Sequence, residues 1–343
     1  MKDLKELTLE ELKAELTSMG EPAFRAKQLY SWIHQKLSVS VEEMSNLPLS
    51  LRERLGGEYV ISAHTIRRMQ ESAIDGTRKY LFGLADGNSI ESVWMRYHHG
   101  NSLCISSQVG CRMGCAFCAS TIGGRVRNLT AAEMLEQVYA VSRDTGERVD
   151  NVVVMGIGEP LDNPEELLRF IRMLTDEQGL HISRRSITVS TCGLVPGIRR
   201  LAEEDTGVTL ALSLHAPTDE QRRKIMPVAE RYRLEELMAA VDYFFEKTGR
   251  RVSFEYALIA GVNDRGEDAE ALAALAVPRG CHVNLIAVNP VRENGLREPG
   301  GTGVRDFQDK LKALGVNATL RRELGRDIDG ACGQLRRAEQ KIM

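Results

Sequence analysis

The sequence predicts an α/β protein, a partial (β/α)6 barrel with a small helical unit and a short β segment ahead of it. Three observations carry that expectation. Apolar residues before position 60 recur at helical spacing. Short alternating runs separated by turn signals follow, up to about residue 100. Beyond that, strand-like apolar runs alternate with helical stretches.

In the first unit, residues 1–60, Thr8 and Glu11 form a T-x-x-E capping box, with Leu12 and Leu16 one helical turn apart behind it. "FRAKQLYSWIHQKL" then carries an apolar stripe with basic residues on its other face, and "SNLPLSLRERL" supplies a breaker and a short helix. In the second unit, residues 61–100, "DGT" and "DGNS" read as hairpin turns. The third unit, residues 101–343, holds six candidate strands: "SLCISSQ", "NVVVMGI", "SITVST", "VTLALSLH", "VSFEYALI" and "HVNLIAVN". Helical segments lie between them, among them one opened by a capping box of Thr130 and Glu133. Repeated β-α units argue for a parallel sheet with helical cover, and this many favour a barrel over one small doubly wound domain.

The chain has 343 residues, 43% hydrophobic and 27% charged, with a net charge of -3, the composition of a globular protein with a substantial core. No window approaches ~18 consecutive apolar residues, so no membrane-spanning helix is expected. "MKDLKELTLEELKAEL" lacks a basic stretch followed by an apolar one, so a cytoplasmic location is expected. Thiols stay reduced there, and clustered cysteines bind metal or do chemistry more often than they form structural disulfides.

"CISSQVGCRMGCAFCAS" holds four of the seven cysteines, three of them, Cys111, Cys115 and Cys118, in a C-x3-C-x2-C pattern. A zinc site completed by a fourth ligand is one reading, although structural zinc usually takes two separated pairs and no second C-x2-C is present. The other is a cubane iron–sulfur cluster left with one iron free of protein ligands. The spacing, with Phe117 just before the last cysteine, resembles the radical S-adenosylmethionine superfamily. There the open iron chelates the amino and carboxylate groups of S-adenosylmethionine, and electron transfer yields a 5'-deoxyadenosyl radical. "VVVMGIGEP" ends a strand with Gly158 and Glu159, similar in role and order to that superfamily's cofactor motif; on its own it is a plain strand-ending turn. Ser190, Ser213, His215 and Asn289 fall at the ends of later strands, on the rim where barrels build active sites, although each taken singly is an ordinary turn residue.

Cys192 and Cys281 lie in or beside apolar strands and read as buried, inert thiols. Cys332 differs, because Gly330, Ala331 and Gly333 surround it and arginines flank it, which suits either a reactive thiolate or an incidental exposed cysteine.

"SSQVGCRMGCAFC", "GIGEPLDN", "VNLIAVNPV" and "RRELGRDIDGACGQLRR" together resemble the RlmN family of adenine carbon-2 methyltransferases, and the likeness runs over nearly the whole chain. The resemblance implies a radical S-adenosylmethionine barrel that modifies adenosine 2503 of 23S rRNA and, in many bacteria, adenosine 37 of certain tRNAs. It also implies one 4Fe-4S cluster on Cys111, Cys115 and Cys118, two molecules of S-adenosylmethionine per turnover, and an electron donor such as flavodoxin or ferredoxin. Gly158, Glu159, Ser190, Ser213, Leu214, His215 and Asn289 are expected to hold the cofactor. Cys332 is expected to carry the methyl group, Cys104 to resolve the protein–RNA adduct as a disulfide, and Glu91 to take the proton from carbon 2. The helical first unit is expected to be an accessory RNA-binding part, and the protein a monomer. The sister carbon-8 (Cfr-type) activity is the nearest alternative. A non-catalytic RNA-binding protein with a metal cluster and a small-molecule radical enzyme stand further off.

The basic runs Arg67-Arg68, Arg184-Arg185, Arg222-Arg223-Lys224, Arg250-Arg251 and Arg321-Arg322 are expected to contact phosphates wherever they share a face.

Overall fold

Local capping chemistry sets the first elements. The computed structural model describes residues 1–287, 295–322, 324–328 and 335. The short strand β1 (Lys2–Asp3) pairs in parallel with β2 (Tyr59–Val60), tying together the two ends of a helical unit. Between them run α1 (Leu9–Ser18), α2 (Phe24–His34) and α3 (Leu49–Glu58). Both halves of the Thr8–Glu11 capping box form. Leu12, Leu16, Leu29, Ile33, Leu51 and Leu55 pack into a core of their own, separate from the main one.

Next come β3 (Thr65–Glu71), β4 (Arg78–Gly83) and β5 (Ser89–Tyr97), an antiparallel meander whose turns are the anticipated Asp-Gly sites. The meander is continuous with the main sheet, because β5 pairs antiparallel with β6 (Gly100–Ile105). A short ribbon of β7 (Gln108–Gly110) and β8 (Arg125–Asn128) encloses the cysteine loop.

Six strand–helix units follow. The strand β6 leads to α4 (Ala131–Thr145), β9 (Asn151–Val154) to α5 (Pro164–Thr175), and β10 (Ile187–Thr191) to α6 (Val195–Glu203). The strand β11 (Thr209–Ser213) leads to α7 (Asp219–Ile225) and α8 (Leu234–Thr248), β12 (Ser253–Leu258) to α9 (Gly266–Ala276), and β13 (His282–Ala287) to α10 (Gly303–Ala313). All six expected strands are present. A further one, β14 (Ala318–Leu320), has only three residues and too little apolar sequence to announce itself.

The strand order β14-β13-β12-β11-β10-β9-β6-β5-β4-β3 is that of an open, ten-stranded sheet, parallel from β14 to β6 and antiparallel beyond. The sheet curls, because residues from β5 through β13, and Arg321 after β14, all line one cavity. The segment after β14 reaches across to the far edge. Asp327 accepts hydrogen bonds from the Ser72 hydroxyl (2.6 Å) and the Ala73 N–H (2.8 Å), and Gly325 N–H donates to Asp75 (2.9 Å). A partial barrel closed on one side by a strap results. Among the described residues, no helix is long and apolar enough to cross a membrane.

Candidate active site

The parallel strands end on one side in a cavity of about 550 Å³. The cysteine loop forms one wall. Gly110, at φ +77°, starts it, and a side chain there would collide with the Gly124 carbonyl across the β7–β8 ribbon. The loop is tied down by its backbone: Cys111 N–H donates to Gly124 O (3.1 Å) and Ala116 N–H to Ile225 O (2.9 Å). Arg112 within the loop and Arg125 on β8 both pair with Asp162, which also accepts from the Gln108 amide at 3.1 Å. Asp162 belongs to the "GEPLDN" segment after β9, so that stretch orients the cysteine loop.

Cys111, Cys115 and Cys118 all line the cavity. Burial pushes the Cys111 thiol up to about 12 and raises those of Cys115 and Cys118 as well. Such thiols become thiolates only against a strong Lewis acid, which iron supplies. Among the described residues, no three His, Cys, Asp or Glu side chains converge on a point that would hold one metal ion. A cubane takes each thiolate on a different iron, so its ligands stand apart. A second fit comes from Arg222, which is fully buried. It donates through Nε to Leu214 O (3.3 Å) and through Nη2 to Cys192 O, while its Nη1 has no partner. A buried cation with a spare donor, acting electrostatically on Cys115, suits an anionic cluster at the thiols. The grouping of Arg222 with phosphate-binding arginines is thereby corrected. Arg222 and Ile225, three residues apart on α7, both face inward.

The adjoining wall is built from strand ends. Glu159 sits 3% exposed, with its carboxylate accepting from Cys192 N–H (2.7 Å) and Leu161 N–H (3.1 Å), and burial raises its pKa. Those bonds, with side-chain hydrogen bonds from Cys192 and Thr191, fix its orientation. Gly158, at φ +112°, also lines the cavity, and the space of its absent side chain is filled by Gln108, 2.7 Å from where a Cβ would lie. Glycine there serves the packing of two loops. Ser190 and Ser213 stand side by side, hydroxyls 3.4 Å apart. His215 adopts φ +54°, and its Nδ1 accepts the Ala257 N–H at 2.9 Å. Burial lowers its pKa to about 3, so the ring is neutral with its proton on Nε2, free to donate. Phe117 from the cysteine loop meets that ring edge-on at 4.6 Å.

Leu214 is not brought to the cavity. Its side chain is fully buried, its N–H is bound to Glu255 O (3.0 Å), and its carbonyl takes the Arg222 Nε. Asn289 and Cys332 lie outside the described residues. Ile328, four positions before Cys332, lines the cavity.

Cys104 and Glu91 also line the cavity. In the β5–β6 register Cys104 stands opposite Val93, which places Glu91 two residues along on the same face. Glu91 is 3% exposed and ion-paired with fully buried Lys79 at 3.0 Å. Burial raises the Cys104 thiol, partly opposed by the positive charge of Arg321. Glu255, buried and held at 2.8 Å by the Asn284 amide, and Arg321 complete the lining. Neither was singled out as a cavity residue from sequence, although a glutamate inside the apolar run "VSFEYALI" was a readable signal. Cys192 and Cys281 are buried with raised thiol pKa values, as expected of inert thiols, and Cys192 also borders the cavity.

Two family profiles match parts of the chain. Residues 105–276 match the profile of the Radical SAM superfamily, and residues 2–61 that of the Ribosomal RNA large subunit methyltransferase N-terminal domain. A relative from Lachnoclostridium phytofermentans, "Probable dual-specificity RNA methyltransferase RlmN", is 56% identical over 98% of this chain and 94% of its own. Relatives of the same name from Lachnospira eligens and Clostridium perfringens are 54% and 50% identical, each over 98% of this chain and 96% and 97% of theirs. The crystal structure of a radical SAM methyltransferase from Sphaerobacter thermophilus superposes with a TM-score of 0.93 at 43% identity, covering 97% of this chain and 99% of that one.

Proposed function

Since the chain belongs to the RlmN family of radical S-adenosylmethionine RNA methyltransferases, which use a 4Fe-4S cluster and S-adenosylmethionine, we propose that it methylates carbon 2 of adenosine 2503 in 23S rRNA and of adenosine 37 in some tRNAs. The observation that carries the reading is Cys104, a half-buried thiol outside the three-cysteine loop that lines the same cavity.

Carbon 2 of adenine lies between two ring nitrogens and is too electron-poor to attack a methyl sulfonium. When bound, the cluster and cofactor supply a radical able to take hydrogen from an unactivated methyl group. The remaining work belongs to the chain. Cys111, Cys115 and Cys118 hold the cluster. Glu159, Ser190, Ser213 and the His215 Nε2–H bind the cofactor's polar groups, joined by Gly158 and Asn289. Cys332 carries the methyl group as a thioether and delivers its carbon to the base. Glu91 accepts the proton lost from carbon 2. Cys104 then attacks the Cys332 sulfur, so that a disulfide forms as the carbon–sulfur bond to the base breaks. Cys104 faces the cavity without being locked in a described disulfide, as a resolving thiol must. The target adenine has to leave its stack to reach a buried site.

Residues 1–60 serve as an accessory RNA-binding unit beside the catalytic part, 101–343, with 61–100 as the edge of its sheet. A cytoplasmic setting suits the reduced thiols, and a flavodoxin- or ferredoxin-type donor suits the electron demand. The test is nucleoside analysis after incubating reconstituted enzyme with unmodified 23S rRNA transcript, S-adenosylmethionine and a reductant. The reading expects 2-methyladenosine. Its 8-methyl isomer would establish the sister activity instead, and no methylated adenosine would remove the carbon-2 assignment.

A further inference from the structure

Of the five basic runs in the sequence, two converge far from the active site. Arg184 and Arg185 precede β10, while Arg250 and Arg251 follow α8 and lead into β12. All four line one open pocket of about 840 Å³ with Thr209 and Ser253. It lies at the N-terminal ends of adjacent strands, the side opposite the cysteine loop. Strands of five and six residues separate the two ends by about 15–20 Å.

The charge in this pocket is not compensated. Among the described residues, no carboxylate lines the pocket, and the groups its arginines bond are neutral. Arg250 Nη2 donates to the Thr209 hydroxyl at 2.9 Å and Arg184 Nη1 to Asp205 O at 3.4 Å. Arg250 Nε is buried without a partner. The C-terminus of α8, which ends at Thr248, contributes about half a negative charge. Four guanidinium groups exceed that several-fold. Like charges gathered at this density call for an anion, and arginine forks match the oxygens of phosphate in pairs. The lining holds no Phe, Tyr or Trp ring on which a base could stack. His282 is the one ring in the lining and is already bonded to Asn284 and Thr319, so the guanidinium forks make phosphate the group the pocket is best built to read.

We infer that Arg184, Arg185, Arg250 and Arg251 form a phosphate-binding site on the strand-start face, and that the RNA backbone is the source of the phosphates. The source, though not the site, rests on the RNA-methyltransferase reading above. A large folded RNA that inserts one adenine at the far end of the sheet has backbone to lay along the molecule's side.

The test compares the full-length wild type with the double variant Arg185→Gln/Arg251→Gln, both side chains being exposed and so removable without disturbing the core. Circular dichroism confirms the variant's fold. Affinity for a tRNA transcript is measured by fluorescence anisotropy across a salt series, with sodium tripolyphosphate as a separate probe. Each lost phosphate contact lowers the slope of log affinity against log salt by ~0.7–0.9. The double variant is therefore expected to lose about 1.5 from the slope and to bind RNA about tenfold more weakly at low salt. Tripolyphosphate is expected to displace RNA partially from the wild type and less from the variant. An unchanged slope together with tripolyphosphate stabilisation of the wild type alone would keep the phosphate site and overturn RNA as its source. If the wild type bound no RNA, the RNA-methyltransferase reading would fall, and tripolyphosphate would still decide the pocket. Identical behaviour of both proteins towards both probes overturns the inference.

Discussion

His34 shows how one side chain commits the chain to a pH range. It ends α2 facing inward, fully buried, with Nδ1 2.8 Å from the Tyr139 hydroxyl on α4 and Nε2 without a partner. Burial lowers its pKa from 6.5 to about 3, with Lys5 adding repulsion. Above pH 6.5 the imidazole is neutral whether the chain is folded or unfolded, and it makes no contribution to pH dependence. Between 6.5 and about 3 the unfolded chain binds a proton that the folded one refuses, so stability falls as pH falls, by about 1.4 kcal/mol per unit. Urea midpoints measured from pH 7 to pH 4.5 are expected to drop more steeply for the wild type than for His34→Phe. Equal slopes would show that His34 is protonated in the fold.

At the scale of elements, the decisive arrangement is the clamp between the cysteine loop and the segment after β9. Asp162 gathers Arg112, Arg125 and Gln108 onto one carboxylate, so the loop's position is set by a partner some fifty residues away. Asp162→Asn keeps the size and loses the charge that holds two arginines. Purified Asp162→Asn is expected to hold less than half the iron of the wild type after identical reconstitution, with little change in secondary structure by circular dichroism; full iron content would show the clamp to be dispensable. Much of this level was legible beforehand. Both capping boxes form as their spacing implied, and the six strands were readable because a parallel strand covered on both faces is a nearly continuous apolar run. What could not be read depends on contacts remote in sequence. The meander from β3 to β5 joins the main sheet through β5–β6 pairing, which its turns do not reveal. Arg222 differs from its neighbours Arg223 and Lys224 only in helical phase, and Leu214 from Ser213 and His215 only in which way the strand end faces.

Over the whole molecule, the helical first unit is fastened to the barrel's outer helices at several points. Lys5 is buried against Glu136 of α4, which Arg143 also reaches. Arg169 of α5 donates to the Glu6 carbonyl at 2.7 Å and 2.9 Å, Tyr30 bonds Asp176 at 3.2 Å, and His34 meets Tyr139. Removing Lys5 leaves Glu136 buried with Arg143 as its remaining cation, at a cost near the lower end of the about 3–5 kcal/mol that breaking a buried pair entails. Lys5→Met is expected to lower the unfolding free energy by about that much, and the double change Lys5→Met/Glu136→Leu to recover most of it. Urea titration of the three proteins checks both values; a Lys5→Met protein as stable as the wild type would mean that the junction is wet. Under the proposed RNA-binding role of residues 1–60, a fixed junction would hold that unit in one position relative to the strand ends.

We propose that Cys332 carries the methyl group to the cavity that Cys104 lines. Mass spectrometry of peptides from the purified protein tests it most directly, with Cys111→Ala as the comparison. A Cys332 peptide heavier by one CH2 is expected in the wild type, isolated with its cluster in place. A bare Cys332, persisting after reconstitution of the cluster and addition of S-adenosylmethionine, would contradict it.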